Sequence, residues 1–374
     1  MITSTRHTCT RVLAATALCI TLQTLIGCAG FFPDTTTSSS SSSDLIFVAN
    51  ATTATLSAYI VGSSTLTAVS DTPLSLAYVP QAAVVSHANT FLYVAGPSAI
   101  YLYTIGTSGV LTAGGAVTYA DVVSLDVSPD GKWLAGLDAA SELIDIWAID
   151  TSTGALTTEA SAAYSISDAV VVPRMLRFTP SGNYIIAALG TAGDVVFTFN
   201  TSTAAAASSQ RLTTGSTSTS DNALAINSTS STVYIARSGT TTGLAAYTIG
   251  SAGALTAVSG SPFATGITPY AVAIDSTGNY VYVANRGSGT ISGFSIGSGS
   301  ILTALGSSPY SAGTLVTSLA LDNSGSYLFA AANGGSPDLT MYSFDSSTAG
   351  KLDTTAAVTT GTDPTGAILV TATH

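Results

Sequence analysis

A unit of four short strands, two landmarks repeating in step with it, and a strand missing at one end but spare at the other predict an all-β chain. Closed on itself, that chain is a seven-bladed β-propeller. The unit is cleanest between Pro269 and Pro309. There AVAI is a continuous apolar run closed by DSTGN, YVYVAN is closed by RGSG, TISGFSI by GSGS, and ILTAL follows. Each turn holds Gly with Ser, Thr or Asn, residues that accept positive φ or bond their own backbone. A meander of this kind cannot bury both faces alone and needs copies of itself as neighbours. The first landmark is an aromatic in the third strand: Tyr59, Tyr103, Trp147, Phe197, Tyr247, Phe294 and Tyr342, 44 to 50 residues apart. The second is the end of strand two, at Asn50, Gly96, Asp138, Leu189, Arg237, Asn285 and Ala332.

Residues 1–28 stand outside the repeat. Arg6, His7 and Arg11 form a short positive region, residues 12–26 are apolar, and small residues follow, as in a secretory signal. The end of the segment, Leu25-Ile26-Gly27-Cys28, resembles the lipobox of bacterial lipoproteins, which implies cleavage before Cys28 and acylation of its thiol. The alternative is a plain cleaved signal with an incidental cysteine. Cys9 and Cys19 lie inside the signal and no cysteine follows Cys28, so Cys28 has no disulfide partner in the mature chain. Residues 29–43, with Thr35–Thr37 and six consecutive serines at 38–43, read as a tether that cannot pack a core. A flexible coil of that length spans roughly 20 Å. The expected location is therefore the bacterial cell envelope, periplasmic or surface-exposed, with the membrane as a partner through the lipid.

Residues 44–374 read as one domain. Two of the nine basic residues lie in the signal, leaving seven against twenty acids and a mature charge of −13. That balance argues against nucleic acid and against charge-driven binding to anionic lipid. Complete units are expected near 82–119, 125–165, 175–215, 223–262, 271–309 and 318–361. The first blade opens at Leu45 directly with its second strand, LIFVAN. Its absent first strand is matched in pattern by PTGAILV at 364–370. Pairing of these two segments would close the ring and remove its open edges.

The hairpins DTSTGALT (150–157), GSAGALT (250–256) and GTSGVLT (106–112) resemble those of the lactonase-type seven-bladed propellers, the family of bacterial 6-phosphogluconolactonases and fungal muconate-lactonising enzymes. Tyr282-Val283-Ala284-Asn285 resembles the YVTN repeat of related surface propellers. The Gly-His and Trp-Asp signatures of WD40 repeats are absent. The resemblance implies the fold and a lactone hydrolase as one function. The lactonising relatives depend on a histidine with acidic and basic partners, and no position here supplies that histidine.

A four-strand meander fixes where chemistry can sit. Strand one begins and strand two ends on one face of the disc, here the upper face; the turn between them lies on the lower face, and strand one lines the central channel. His87, in a turn aligned with Asp275–Gly278, belongs to the lower face, and His374 is the last residue. No Ser–His–Asp arrangement and no histidine-based metal site is expected at the upper mouth. Neither cofactor nor metal is expected. Asp130, Asp150, Asp275, Asp322 and Asp345 sit in turns, where Asp bonds its own backbone. Glu142 and Asp145 are expected on a solvated edge.

Of the seven basic residues, Lys132, Arg211 and Lys351 fall on turns or the outer edge. Arg174 stands at the start of strand one of blade four, with Arg177 inside that strand. Arg237 and Arg286 end strand two of blades five and six. All four are expected towards one mouth, where guanidinium forks suit a carboxylate or phosphate. The competing expectation pairs Arg237 with Asp221 and Arg177 with Asp126. Asp138, at the end of strand two in blade three, is the one acid in an equivalent rim position and hence the candidate general base. Two functions follow: a binding or scaffolding module for a small anion or a protein, or a sugar-lactone hydrolase.

Overall fold

The computed structural model describes residues 44–119, 121–164, 166–167, 169–334, 337–358 and 366–374. The signal, Cys28 and the tether lie outside these residues, as do 364 and 365 of the closing segment. Seven antiparallel sheets follow one another around a ring. Blade one holds Leu45–Asn50, Thr55–Gly62 and Thr65–Ala68, and blade two runs from Ala82–Val85 to Leu111–Thr118. Blade three runs from Val122–Val127 to Leu156–Ala163, blade four from Met175–Phe178 to Ala206–Leu212, and blade five from Thr219–Ile226 to Leu255–Ala257. Blade six runs from Pro269–Ile274 to Leu302–Ala304 and blade seven from Val316–Leu321 to Leu352–Ala357.

The first strand of blade one comes from the far end of the chain. Ala367–Ala372 pairs antiparallel with Leu45–Asn50, Val370 opposite Val48 and Ala372 opposite Ile46. Thr373 extends the seam: its hydroxyl accepts from the Leu45 amide at 3.0 Å.

The apolar core is seven layers, one between each pair of adjacent blades, including blades seven and one. This is why the strands read as apolar runs rather than strict alternation: both faces of every blade are covered. The third-strand aromatics fill these layers. Tyr59, Trp147, Phe197 and Tyr342 are all fully buried. Trp147 lies over Gly136, where an added Cβ would come within 2.7 Å of the indole. Asp145 corrects the expectation of a solvated edge. It lies opposite Gly136 and Ser161 in the ladder, is fully buried, and its carboxylate accepts from the Ser161 hydroxyl.

Successive first strands contact one another around the channel, and side chains bind them to the next blade. Ser124 Oγ accepts from the Leu176 amide at 3.1 Å, Asp126 Oδ2 from Phe178 at 2.7 Å, and Ser318 Oγ from Val370 at 3.2 Å. The turn acids behave as their spacing predicts. Asp150, Asp275, Asp322 and Asp345 each accept from amides two to five residues ahead.

Candidate functional site

The start of strand one forms the upper mouth of the channel. A cavity of about 260 Å³ sits there, lined by Gln81, Ser124, Arg174, Arg177, Asn222, Tyr270 and Thr317 above an apolar floor of Leu125, Met175 and Leu369. Arg177 also lines two deeper parts of the channel, of about 330 and 500 Å³. The deepest reaches Asp322, Asn323 and His374 on the lower face. No Asp, Glu or His lines the upper cavity.

Arg174 meets the cavity at the solvent boundary and makes no ion pair among the described residues. Arg286 lies just behind the wall. Its guanidinium carbon stands 4.8 Å from the centroid of the Tyr270 ring, a cation–π contact, and its buried Nε has no hydrogen-bond partner. Tyr270 thus presents one ring to the cavity with a cation near it. Gln81 adds a second unmet group: Nε2 donates to Asp121 Oδ1 at 2.8 Å, while the buried Oε1 has no partner. Asn222 is held by Ser220, Ser238 and the Pro269 carbonyl.

The other two arginines are engaged, as the competing expectation had it. Arg237, 6% exposed, grips Asp221 through Nε at 2.6 Å and Nη2 at 2.8 Å, and strand two runs on past it to Gly239. It is therefore withdrawn from the candidate contacts: a guanidinium committed to a buried carboxylate is not offered to a ligand. Arg177 donates through Nη1 to the Leu125 and Leu176 carbonyls, with Asp126 at 3.8 Å. Burial pushes the Asp126 carboxyl up, and Arg177 with the Phe178 amide pulls it back. Arg177 nevertheless faces the channel at every depth.

Asp138 does not meet the cavity. It is 3% exposed and its Oδ1 accepts from the amides of Ala140 and Ser141, capping its own turn. His87 is exposed on the lower face, its ring 4.4 Å from that of His374. Gln81, Asn222, Tyr270 and Thr317 were missed by sequence reasoning. The signal existed in the column of residues at the start of strand one, where Arg174 aligns with Tyr270. Polar and aromatic side chains recur there, but charge alone was followed.

The comparisons with known proteins agree with this architecture. The family described as "Lactonase, 7-bladed beta-propeller" matches residues 191–307 and 262–369. No curated protein matches the chain in sequence. Among solved structures, a candidate 6-phosphogluconolactonase of Bacteroides fragilis superposes with a TM-score of 0.70 at 16% identity, covering 90% of this chain and 99% of that one. A Lactobacillus plantarum protein gives 0.72 at 16% identity, covering 89% and 100%. The periplasmic gluconolactonase of Pseudomonas aeruginosa gives 0.71 at 14% identity, covering 88% and 99%. The lactonase family model thus matches the chain from the middle of blade four to the closing strand, and the solved structures share its seven-bladed propeller fold around the whole ring.

Proposed function

We propose that the chain is an envelope-anchored binding module that takes a small anion, a carboxylate or phosphate, at the upper mouth of its channel. The observation that carries this is the pair Arg174 and Arg286. In a mature protein of net charge −13, both stand beside one cavity without an acid partner among the described residues. Charge balance alone would have paired them, as it paired Arg237. Arg177 lines the same cavity and the channel below it. Charge-assisted bonds are worth roughly 1.5–3 kcal/mol each, so Arg174→Ala should weaken anion binding about tenfold or more. Arg286→Ala, which removes only a charge behind Tyr270, should weaken it less. Calorimetric titration of the purified chain with gluconate, citrate and inorganic phosphate tests it. Absence of binding, or binding by Arg174→Ala as tight as the parent's, removes the site.

The second reading, a sugar-lactone hydrolase, is favoured by the family match. It needs a general base within reach of the bound anion, and the upper cavity has none among its lining residues. Hydrolysis of gluconolactone by the purified chain that falls with Arg174→Ala would restore it. Binding without such hydrolysis leaves a binding module.

Anchoring rests on Cys28 at a lipobox-like site with no later thiol. Intact-mass analysis of the envelope-extracted protein should show an acylated N-terminal Cys28, and a mature chain with a free amine at another residue would remove the anchor.

A further inference from the structure

Five large aliphatic side chains stand exposed among the described residues, and four of them share one place in the fold. Val79 (47%), Val170 (74%), Ile267 (67%) and Leu315 (41%) all lie on connectors leading into strand one, of blades two, four, six and seven. They therefore stand on the upper face, around the mouth that holds Arg174 and Tyr270. Only Ile301, on an outer hairpin, lies elsewhere.

These connectors are pinned to the strand two–three turn beneath them. The Val170 carbonyl accepts from the Thr191 hydroxyl at 2.6 Å, that of Ile267 from the Gly287 amide at 2.9 Å, and that of Leu315 from the Asn333 amide at 3.1 Å. The aliphatics are thus held out by fixed backbone. Leu315 adopts φ 56°, a conformation better suited to Gly or Asn, so backbone conformation gives no reason for leucine there. The four aliphatics stand on separate blades around the mouth, so a ligand that covers them must span it.

We infer that the upper face docks a segment of a separate protein. Its acidic side chain would enter the mouth towards Arg174, and its flanking apolar residues would cover Val170, Ile267 and Leu315. This rests on the anion reading of the mouth and names its partner. Asp44 lies on the lower face, where its Oδ1 accepts from the Asn323 amide at 3.2 Å in the strand one–two turn of blade seven. The first described residue thus lies on the face opposite the aliphatics. A second copy is disfavoured, since it would bring together two molecules each of net charge about −13.

The test uses the full chain carrying Cys28→Ala and three fluorescent pools of decapeptides, read by anisotropy. One is randomised over Leu, Val, Phe, Asp and Glu, one over Leu, Val, Phe, Lys and Arg, and one over Ser, Gly, Asp and Glu. The acidic–apolar pool should bind at least tenfold more tightly than the others. Val170→Ser with Ile267→Ser should erase that preference, with unchanged melting and unchanged citrate affinity, whereas Arg174→Ala should weaken both ligands. Equal binding of the two acidic pools would overturn the docking surface and leave the anion site standing. Loss of citrate binding as well would overturn both. Flotation with phosphatidylglycerol vesicles, or an Ile267-dependent dimer in sedimentation, would replace the partner protein by a membrane or a second copy and so overturn the inference.

Discussion

Arg237, Asp221 and Asp194 form a buried cluster between blades four and five. The guanidinium and the Asp221 carboxylate meet in a bidentate pair, while Asp194, fully buried, has no donor for either oxygen as a carboxylate. Burial first, then the Asp221 charge, pushes the Asp194 carboxyl well above its usual range, so it keeps its proton and shares it with Asp221. Arg237→Leu would strand Asp221 as a bare buried charge and should cost about 3–5 kcal/mol in urea unfolding. Asp194→Asn, which retains a donor, should be nearly neutral at pH 7, and a large loss there would contradict a protonated Asp194. At the ring seam, burial and the neighbouring Asp322 raise Asp44 from 3.8 to about 6. The folded state then binds more protons than the unfolded one between those values, so this group's contribution falls as pH rises through about 4 to 6 and is flat above. Asp44→Asn should therefore melt higher than the parent at pH 7 and lose that advantage at pH 4.

Among the elements, the hairpin between strands three and four carries the family resemblance, and its glycines have a packing reason. Gly109, Gly154, Gly253 and Gly350 all adopt φ between 74° and 83°. An added Cβ at each would strike the preceding blade: Leu45 at 2.7 Å, Phe91 at 2.8 Å, Tyr184 at 3.0 Å and Tyr280 at 2.4 Å. Two hairpins are further tied by phenols, Tyr93 donating to the Gly154 carbonyl and Tyr282 to that of Gly350. Gly350→Val combines backbone strain with a clash. It should destabilise by about 3 kcal/mol or more, seen as a shifted urea midpoint; a change below 1 kcal/mol would deny the contact. The outer edges are blunted in two ways. In blades two, three, four and seven the ladder between strands three and four is interrupted at or beside the landmark aromatic. In blades one, five and six, Thr72, Ser261 and Ser308 hydroxyls cap the amides of Ala58, Ala246 and Gly293 instead.

For the whole molecule, closure is the decisive feature. Ala367–Ala372 completes blade one and also packs on blades seven and two, with Val370 and Phe329 in one apolar layer and Leu369 in another. Deleting 363–374 removes few residues but opens a sheet edge and two apolar interfaces. The ring should lose cooperative melting or aggregate, and an unchanged transition would refute the closing role. That closure was legible because it is local pattern at both ends: LIFVAN lacks a partner strand and AILV is spare.

The period, the strand order within each blade and the seven-fold count were set by the sequence alone. Each strand's apolar run and each turn's Gly, Ser and Asn act over a few residues, and the repeat multiplies a weak local signal seven times. The turn aspartates were legible for the same reason, their acceptors lying two to five residues away. Which arginines are free was decided only by the tertiary structure. Arg237 and Arg286 were both expected to end strand two, yet Arg237 lies inside its strand, paired opposite Asp221. Arg286 instead follows the last strand residue, Asn285, and lies against Tyr270, the residue skipped at the register shift. Asp145 was misjudged because its surroundings depend on Gly136 and Ser161, brought beside it by pairing rather than by neighbourhood in the chain. Ion pairing and burial depend on distances of a few ångströms across blades, and these exist only once the ring has closed.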